Sequence, residues 1–359
     1  MAVPETTLWD CDPHTEAKHQ VLAGYFDAWY PIMLRTWPRL TIFEGYAGPG
    51  EHTTGEEGSP IIALRRLLIR PELVDLGKQV RFVFVEKRDD RLKHLRELVA
   101  EKFPDRPSHI RVDFVLGSCE EVWKDSLTDA GAWGFPIFAN LDPFGPAVPF
   151  SLVERVGGNG ASEVLVTFMS DYLRRFASVE ALDDGDRQFG GRNWRKVVEL
   201  ADPQQKELFL VAEYQETLVR AGFKLSAPFR LSDEGGHSFY VIFATGHRRG
   251  LERMKDSMWK IDPARGIQFR DTTDANQGVL DFGKLDPDLS ALERRLKGRL
   301  SEVAPKALTA DELRDFALLE TGFRSPHATR AIRTMLDAGE LSRNPKKGQL
   351  SGKISISLV

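Results

Sequence analysis

Cysteine is scarce in this chain: Cys11 and Cys119 are the only two in 359 residues. Two thiols so far apart cannot build a disulfide framework or, unaided, a Cys-rich zinc or iron–sulfur site, so reduced thiols are expected. No apolar run reaches the roughly 18–20 residues that a membrane span requires. The stretch Met1 to Asp12 is acidic and polar, with neither a basic n-region nor an apolar h-region, so the expectation is a cytoplasmic protein with no membrane contact. The eight histidines are scattered, and no His/Asp/Glu cluster has metal-ligand spacing. No metal site is expected. Internal repeats and low-complexity tracts are also missing.

What is present begins with length, which favours two domains, one large and one small. Charge divides them. From Ser290 to Val359 thirteen Lys and Arg face eight Asp and Glu, a balance of +5, so the remainder carries −9 of the total −4. An acidic body with a basic tail is the asymmetry expected where nucleic acid is a partner, although a basic helical face can also be merely solvated.

Residues 15–35 carry Val21, Leu22, Tyr25, Phe26 and Trp29 at helical spacing, and Pro38 closes that region. Leu40-Thr41-Ile42-Phe43 reads as a buried strand running into Glu44-Gly45-Tyr46-Ala47-Gly48-Pro49-Gly50. Ser59 as N-cap and Pro60 at the first helical position predict a helix to Leu68. Further strands are expected at Val80–Val85, Arg111–Leu116, Pro136–Leu141 and Glu163–Met169, with a helix over about 91–102 between the first two. This alternation predicts an α/β, Rossmann-like, mostly parallel sheet with ligands at the strands' carboxyl ends. Tyr172 to about Asp202 breaks the rhythm and reads as a lid insertion. A helix over about 207–221, strands at Lys224–Arg230 and Ser238–Ala244, and a helix over 251–261 follow, then a loop to about Asp288. The domains are placed at 1–288 and 289–359. In the second, Thr309-Ala310-Asp311-Glu312 is a capping-box start, Ser325-Pro326 opens another helix, and strands flank the basic tip Asn344 to Lys353. Two helices and a hairpin are the order of a winged helix.

The strand ends carry the chemistry. Glycines in the Glu44–Gly50 loop permit positive φ and close backbone approach to a ligand. No Gly-Lys-Ser/Thr follows, which excludes a phosphate loop, and the Gly-x-Gly-x-x-Gly spacing of dinucleotide binders is absent. Glu86, ending the second strand, suits a ribose diol. Ser118 ends the third strand, with Cys119 beside it as a space filler. Asn140-Leu141-Asp142-Pro143-Phe144-Gly145 ends the fourth, where Asp142 could instead cap the following helix. Lys18 reads as an exposed helical lysine and His19 as a partly buried helix residue. In the tail, Arg324, Arg330 and Arg333 fall on or beside the third winged-helix helix. Arg343, Lys346, Lys347 and Lys353 would line the wing within reach of phosphates.

These residues carry a resemblance. The Glu44–Gly50 loop is similar to the acid-x-Phe-x-Gly-x-Gly loop of DNA and RNA amino-methyltransferases, which implies S-adenosylmethionine bound by Lys18, Glu44, Gly45, Tyr46, Ala47, Gly48, Gly50, Glu86 and Ser118. In those enzymes Asp/Asn-Pro-Pro-aromatic orients an exocyclic amine and stacks an extruded base, which implies acceptor roles for Asp142, Pro143 and Phe144. Here Phe144 replaces the second proline and Gly145 the aromatic. Asp-Pro-Phe-Gly, followed by Pro146 and Pro149-Phe150, resembles the tRNA guanosine N2-dimethyltransferases. Together with Lys18-His19, Gly58-Ser59-Pro60, Phe243-Ala244-Thr245 and the run Gly250-Leu251…Met254-Lys255…Met258-Trp259, residues 14–270 resemble the three-Cys-motif partner family (TcmP). That resemblance implies a companion, a radical-SAM-like protein with three clustered cysteines. The reading is a class I methyltransferase-like protein acting on an exocyclic amine of a nucleic-acid base. The alternative is a non-catalytic nucleic-acid- or partner-binding protein on a degenerate methyltransferase fold. Methylation of a protein or small molecule also stays open.

Overall fold

The computed structural model describes residues 4–145, 148–179, 183–232, 238–262, 268–270, 287–346 and 348–359. The chain divides into two compact units, Met1–Ser257 with Phe269–Thr273, and Met258–Gln268 with Asp274–Val359. The division falls within a helix, ahead of the 288/289 boundary expected from sequence.

In the first unit α1 (Pro13–Thr36) leads to β1 (Arg39–Glu44), α2 (Ser59–Leu68), the single turn α3 (Pro71–Val74), β2 (Gln79–Glu86), α4 (Asp89–Lys102) and β3 (Ile110–Leu116). α5 (Cys119–Asp129), β4 (Ile137–Leu141), α6 (Phe150–Gly157) and β5 (Glu163–Phe168) complete the alternating part. The stretch read as a lid is helical: α7 (Ser170–Phe176), α8 (Asp184–Phe189) and a 3-10 turn at Asn193–Glu199. Then come α9 (Pro203–Arg220), β6 (Leu225–Ser232), β7 (Ser238–Thr245), α10 (Arg248–Ile261) and the short β8 (Gln268–Arg270). The strand order is β3-β2-β1-β4-β5-β7-β6-β8. β1 pairs in parallel with β2 and β4, and β5 with β4, while β7 runs antiparallel to β5 and β6.

Strand alternation sorts the core onto two faces. Phe138 of β4 meets Tyr25, Phe26 and Trp29 of α1, whereas Ile137, Ala139 and Leu141 join a cluster with Val83, Val166, Phe168, Phe189, Trp194 and Tyr214. α1 contains Pro31, which has no N–H for the carbonyl of Asp27 four residues back. Arg70 supplies the missing donor, its Nη1 lying 2.8 Å from that carbonyl, so a long helix tolerates an interior proline. α2 departs from expectation in one detail. Its N-cap is Gly58, with no side-chain cap, because the Ser59 hydroxyl donates to Glu44 instead, at 2.9 Å.

The second unit contains α11 (Ser290–Val303), β9 (Leu308–Thr309), α12 (Ala310–Glu320), α13 (Ser325–Asp337), β10 (Leu341–Asn344) and β11 (Ser355–Leu358). Its small antiparallel sheet has the order β10-β11-β9. Leu292, Leu296, Leu313, Ala317, Ala328, Ile332, Met335 and Ile356 form its core. The capping box at Thr309 is present, with the Glu312 carboxylate accepting from the Thr309 backbone N–H. α11 and β9 were not expected from sequence. The segment 271–286, expected as a loop, lies outside the described residues, as do Pro146 and Lys347.

Candidate functional site

At the carboxyl ends of β1 to β4 lies a cleft of about 530 Å³. Parallel strands all end on one sheet edge, so their terminal residues converge although they are far apart in sequence. Gly45, Tyr46, Ala47, Gly48, Gly50, Glu86, Ser118, Lys18, Asp142, Pro143 and Phe144 all line it.

The glycine loop is held by backbone. Gly45 N–H donates to the Asn140 carbonyl at 3.0 Å and Ala47 N–H to that of Val85 at 2.8 Å, tying β1 to both neighbouring strands. A Cβ on Gly45 would sit 2.9 Å from both Cys119 Sγ and Leu141 Cδ2, so that these buried side chains would have to shift. Gly48 has φ +64, and its N–H donates to Glu86 Oε2 at 2.9 Å. The other Glu86 oxygen accepts from Arg88 N–H at 2.8 Å. Each carboxylate oxygen therefore keeps one lone pair toward the cleft. Ser118 donates its hydroxyl to Glu121 at 2.7 Å, while the neighbouring Cys119 is buried and its thiol is pushed up to about 12 by burial. Cys119 is an inert filler, as its apolar surroundings dictate.

Glu44 lies beneath the cleft rather than on its wall, 1% exposed. Its Oε2 accepts from Ser59 Oγ at 2.9 Å and Asn140 Nδ2 at 2.8 Å, and Oε1 has no partner. Burial pushes the carboxyl up to about 8, against the hydrogen bonds from Asn140 and Ser59. In this geometry Glu44 braces β1 against β4 and α2.

Asp142 forms an ion pair with Lys18 Nζ, both partly buried. Burial raises the Asp142 carboxyl, but the adjacent Lys18 ammonium, its hydrogen bond and that of Thr167 outweigh burial and leave it below the ordinary range. Asp142 is thus an acceptor-only carboxylate at neutral pH, and it does not cap the following helix, whose N-cap is Pro149. Phe144 is 39% exposed and meets the edge of Trp9 with ring centroids 5.8 Å apart.

Other cleft residues were not legible in the sequence. The N-terminal segment is strapped to α4: Arg91, 3% exposed, donates to the carbonyls of Pro4 and Thr6 at 2.6 and 3.0 Å and lies 4.7 Å over the Trp9 ring. Thr167, Met169 and Phe239 line the wall, and Asp184 and Arg187 of α8 reach it from the helical insertion. His52 lines it too, and the fold brings Cys11, His19 and His52 together, a grouping the sequence reading did not make.

In the second unit Arg330 and Arg333 lie on α13 and Arg324 is its N-cap residue. Arg324 Nη2 lies 2.8 Å from His327 Nε2 and its guanidinium stacks over Trp259. Arg343 donates to the carbonyls of Pro345 and Gly348, both at 3.0 Å, organising the tip between β10 and β11. Both arginines thus also hold local structure. Arg333, Arg343 and Lys346 share the lining of a groove of about 600 Å³. Lys353 follows at the far side of that hairpin.

No protein family and no curated protein matches this chain, so no family match accompanies the resemblance to the three-Cys-motif partners. Among solved structures, a complex of Trm1 from Pyrococcus horikoshii with S-adenosyl-L-methionine is similar over 99% of this chain and 93% of its own, at 11% identity and a TM-score of 0.41. Precorrin-6y C5,15-methyltransferase from Geobacter metallireducens GS-15 covers 62% of this chain and 87% of its own, at 12% identity and 0.32. The cyclopropane synthase MmaA2 from Mycobacterium tuberculosis covers 68% and 69%, at 12% identity and 0.31. Five parallel strands in the order 3-2-1-4-5, followed by a reversed β7 and then by β6 in the original direction, define an α/β Rossmann-like fold of the class I methyltransferase type. Among the described residues, no helix is long and apolar enough to cross a membrane.

Proposed function

We propose that this chain binds S-adenosylmethionine in the cleft and transfers its methyl group to an exocyclic amine of a nucleic-acid base, working beside a three-Cys-motif radical-SAM-like protein. One observation carries the reading. A glycine-rich loop, tied through Gly48 N–H to a strand-end carboxylate, shares a single cleft with Asp142-Pro143-Phe144. The residues fit the cofactor's chemistry: Gly48 offers backbone without a Cβ, and both Glu86 oxygens retain a lone pair for a diol. When bound, S-adenosylmethionine supplies an electrophilic methyl group on a sulfonium.

The chain's own part is orientation. Asp142, held ionised by Lys18, accepts a hydrogen bond from the amine and aims its nitrogen, while Phe144 offers an exposed ring to a base. Positioning of this kind supplies much of the rate when the nucleophile is weak. We read the second unit as a winged helix, with Arg324, Arg330, Arg333, Arg343, Lys346, Lys347 and Lys353 as its candidates for phosphate contact.

Nucleoside mass spectrometry of DNA and RNA from cells with and without the gene tests the reading. The expected result is one methylated base that disappears with the gene and with Asp142→Ala. Cofactor binding by calorimetry without any such product would favour the non-catalytic alternative, for which the existing Lys18–Asp142 pair is the specific support. Absence of both would overturn the assignment.

A further inference from the structure

The geometry points to a binding site for a zinc-class divalent cation built from Cys11 together with His19 and His52 of the cleft wall. The inference stands independently of the methyl-transfer reading. One ligand atom from each of the three residues lies within 4.8 Å of the others. Tetrahedral zinc, with Zn–N near 2.0–2.1 Å and Zn–S near 2.3 Å, needs donor atoms roughly 3.3–3.8 Å apart, so closure calls for side-chain movements of about an ångström. Sulfur with two imidazoles is a donor set that selects zinc and related borderline metals over magnesium or calcium.

The surroundings are built rather than accidental. His52 Nδ1 sits 3.2 Å from the Trp9 carbonyl. A proton held there leaves Nε2 as the ligand nitrogen, the outer-shell arrangement that fixes the tautomer of a metal-bound histidine. The same carbonyl accepts from Thr53 N–H at 3.1 Å, and the Thr53 hydroxyl donates to Asp10. The turn around His52 is closed by His52 N–H to the Glu56 carbonyl at 2.9 Å. These bonds stitch the loop carrying His52 to the segment carrying Cys11. His19, on the second turn of α1, brings its ring to 5.6 Å from that of His52, and its nitrogens have no hydrogen-bond partner among the described residues. The Cys11 thiol makes only a weak 3.9 Å contact with the Asp12 carbonyl.

Three protein ligands leave the fourth tetrahedral position open, as in catalytic rather than structural zinc sites. His19 and His52 both line the cleft, next to Lys18 and Asp142. The open position therefore takes a water or a heteroatom of whatever occupies the acceptor end. Binding exchanges the Cys11 thiol proton for the metal: a Zn–S bond forms, the S–H bond breaks, and the proton leaves to solvent.

The test uses the full chain, tag-free and stripped with a chelator, titrated with zinc in competition with a chromophoric chelator and separately with cobalt(II). The expected result is one zinc per chain and a thiolate-to-cobalt charge-transfer band. Cys11→Ser should abolish the band, and Cys11→Ser, His19→Gln and His52→Gln should each weaken zinc binding by about tenfold or more. Circular dichroism melting without metal separates ligand loss from misfolding, and Cys11→Ser, at a partly exposed position outside the helices, serves if a histidine variant does not fold. Failure to retain zinc, or zinc binding that all three variants leave unchanged, overturns the site. Neither outcome bears on S-adenosylmethionine binding, which is read by calorimetry on the same samples.

Discussion

Lys18 of α1 and Asp142 at the end of β4, 124 positions apart, form a partly buried ion pair on the cleft wall. The pair joins the residue proposed to meet the cofactor with the residue proposed to meet the acceptor. It also holds the carboxyl below its ordinary range against a burial that raises it. Each can therefore be tested through the other.

Asp142→Ala should leave affinity for S-adenosylmethionine within a few-fold while lowering methyl transfer by about two orders of magnitude or more. Single-turnover kinetics beside calorimetry checks this. Equal loss of binding and turnover would place Asp142 in the cofactor site or the fold. Lys18→Met leaves Asp142 without its counter-charge and should cost about 1–3 kcal/mol in urea unfolding, reduced from the fully buried case because both side chains keep some solvent contact. The folded carboxyl lies below its unfolded value of 3.8. Its contribution is therefore present above that value and is lost as pH falls through the folded value. The Lys18→Met penalty should shrink in strong acid.

Glu44 has the opposite sign. Its carboxyl is raised from 4.5 to about 8, so the folded state holds a proton that the unfolded state has released. Stability should fall as pH rises between those values. Glu44→Gln removes the titration and can still accept from Asn140 and Ser59. Relative to wild type, the variant should gain about 1–4 kcal/mol on going from pH 5 to pH 8. Thermal melts at the two pH values measure it, and a pH-independent difference would show that Glu44 is ionised throughout.

Gly48→Val places a branched side chain at a backbone with φ +64, where even its Cβ would lie 3.4 Å from the Trp9 ring. Strain of about 1–3 kcal/mol is expected, with loss of detectable cofactor binding in calorimetry. A variant that binds normally would move the cofactor away from this loop.

Arg91→Ala removes the donors to Pro4 and Thr6 and the cation over Trp9. Amide hydrogen exchange in residues 5–8 should accelerate by about tenfold or more, while β1 and β2 stay protected, because Arg91 is one of a few anchors of this stretch. Unchanged exchange there would show that the bonds from Arg88 to the Pro4 and Glu5 carbonyls and from Thr7 to Asp90 suffice.

The proposed nucleic-acid surface is tested by salt. Affinity for duplex or single-stranded DNA or RNA should fall steeply with ionic strength, and reversing Lys346 and Lys347 together should reduce the logarithmic slope by about two. Cofactor binding should be untouched. No salt-sensitive affinity at low ionic strength would make this unit a protein-docking module.

Much of this was legible along the chain. Strand periodicity, the glycine loop and the position of Glu86 and Asp142 at strand ends are local properties, and a parallel sheet turns strand ends into one site by topology alone. The capping box at Thr309 was legible for the same reason, since every bond in it lies within three residues. The basic tail was equally plain from composition. Other features needed the tertiary structure because they depend on which distant surfaces meet. Ser59 looked like an N-cap, yet its hydroxyl turned to Glu44, whose buried oxygen had the stronger need of a donor. Glu44 was read as a cleft residue and sits beneath the floor, since β1 is buried on both faces to its last residue. The local bonds of Arg324 to His327 and of Arg343 to the hairpin tip also had no signal in the sequence. Cys11, His19 and His52 have no spacing that announces a ligand set. Only the packing of the N-terminal segment against the loop after β1 brings one sulfur and two imidazoles to a single point.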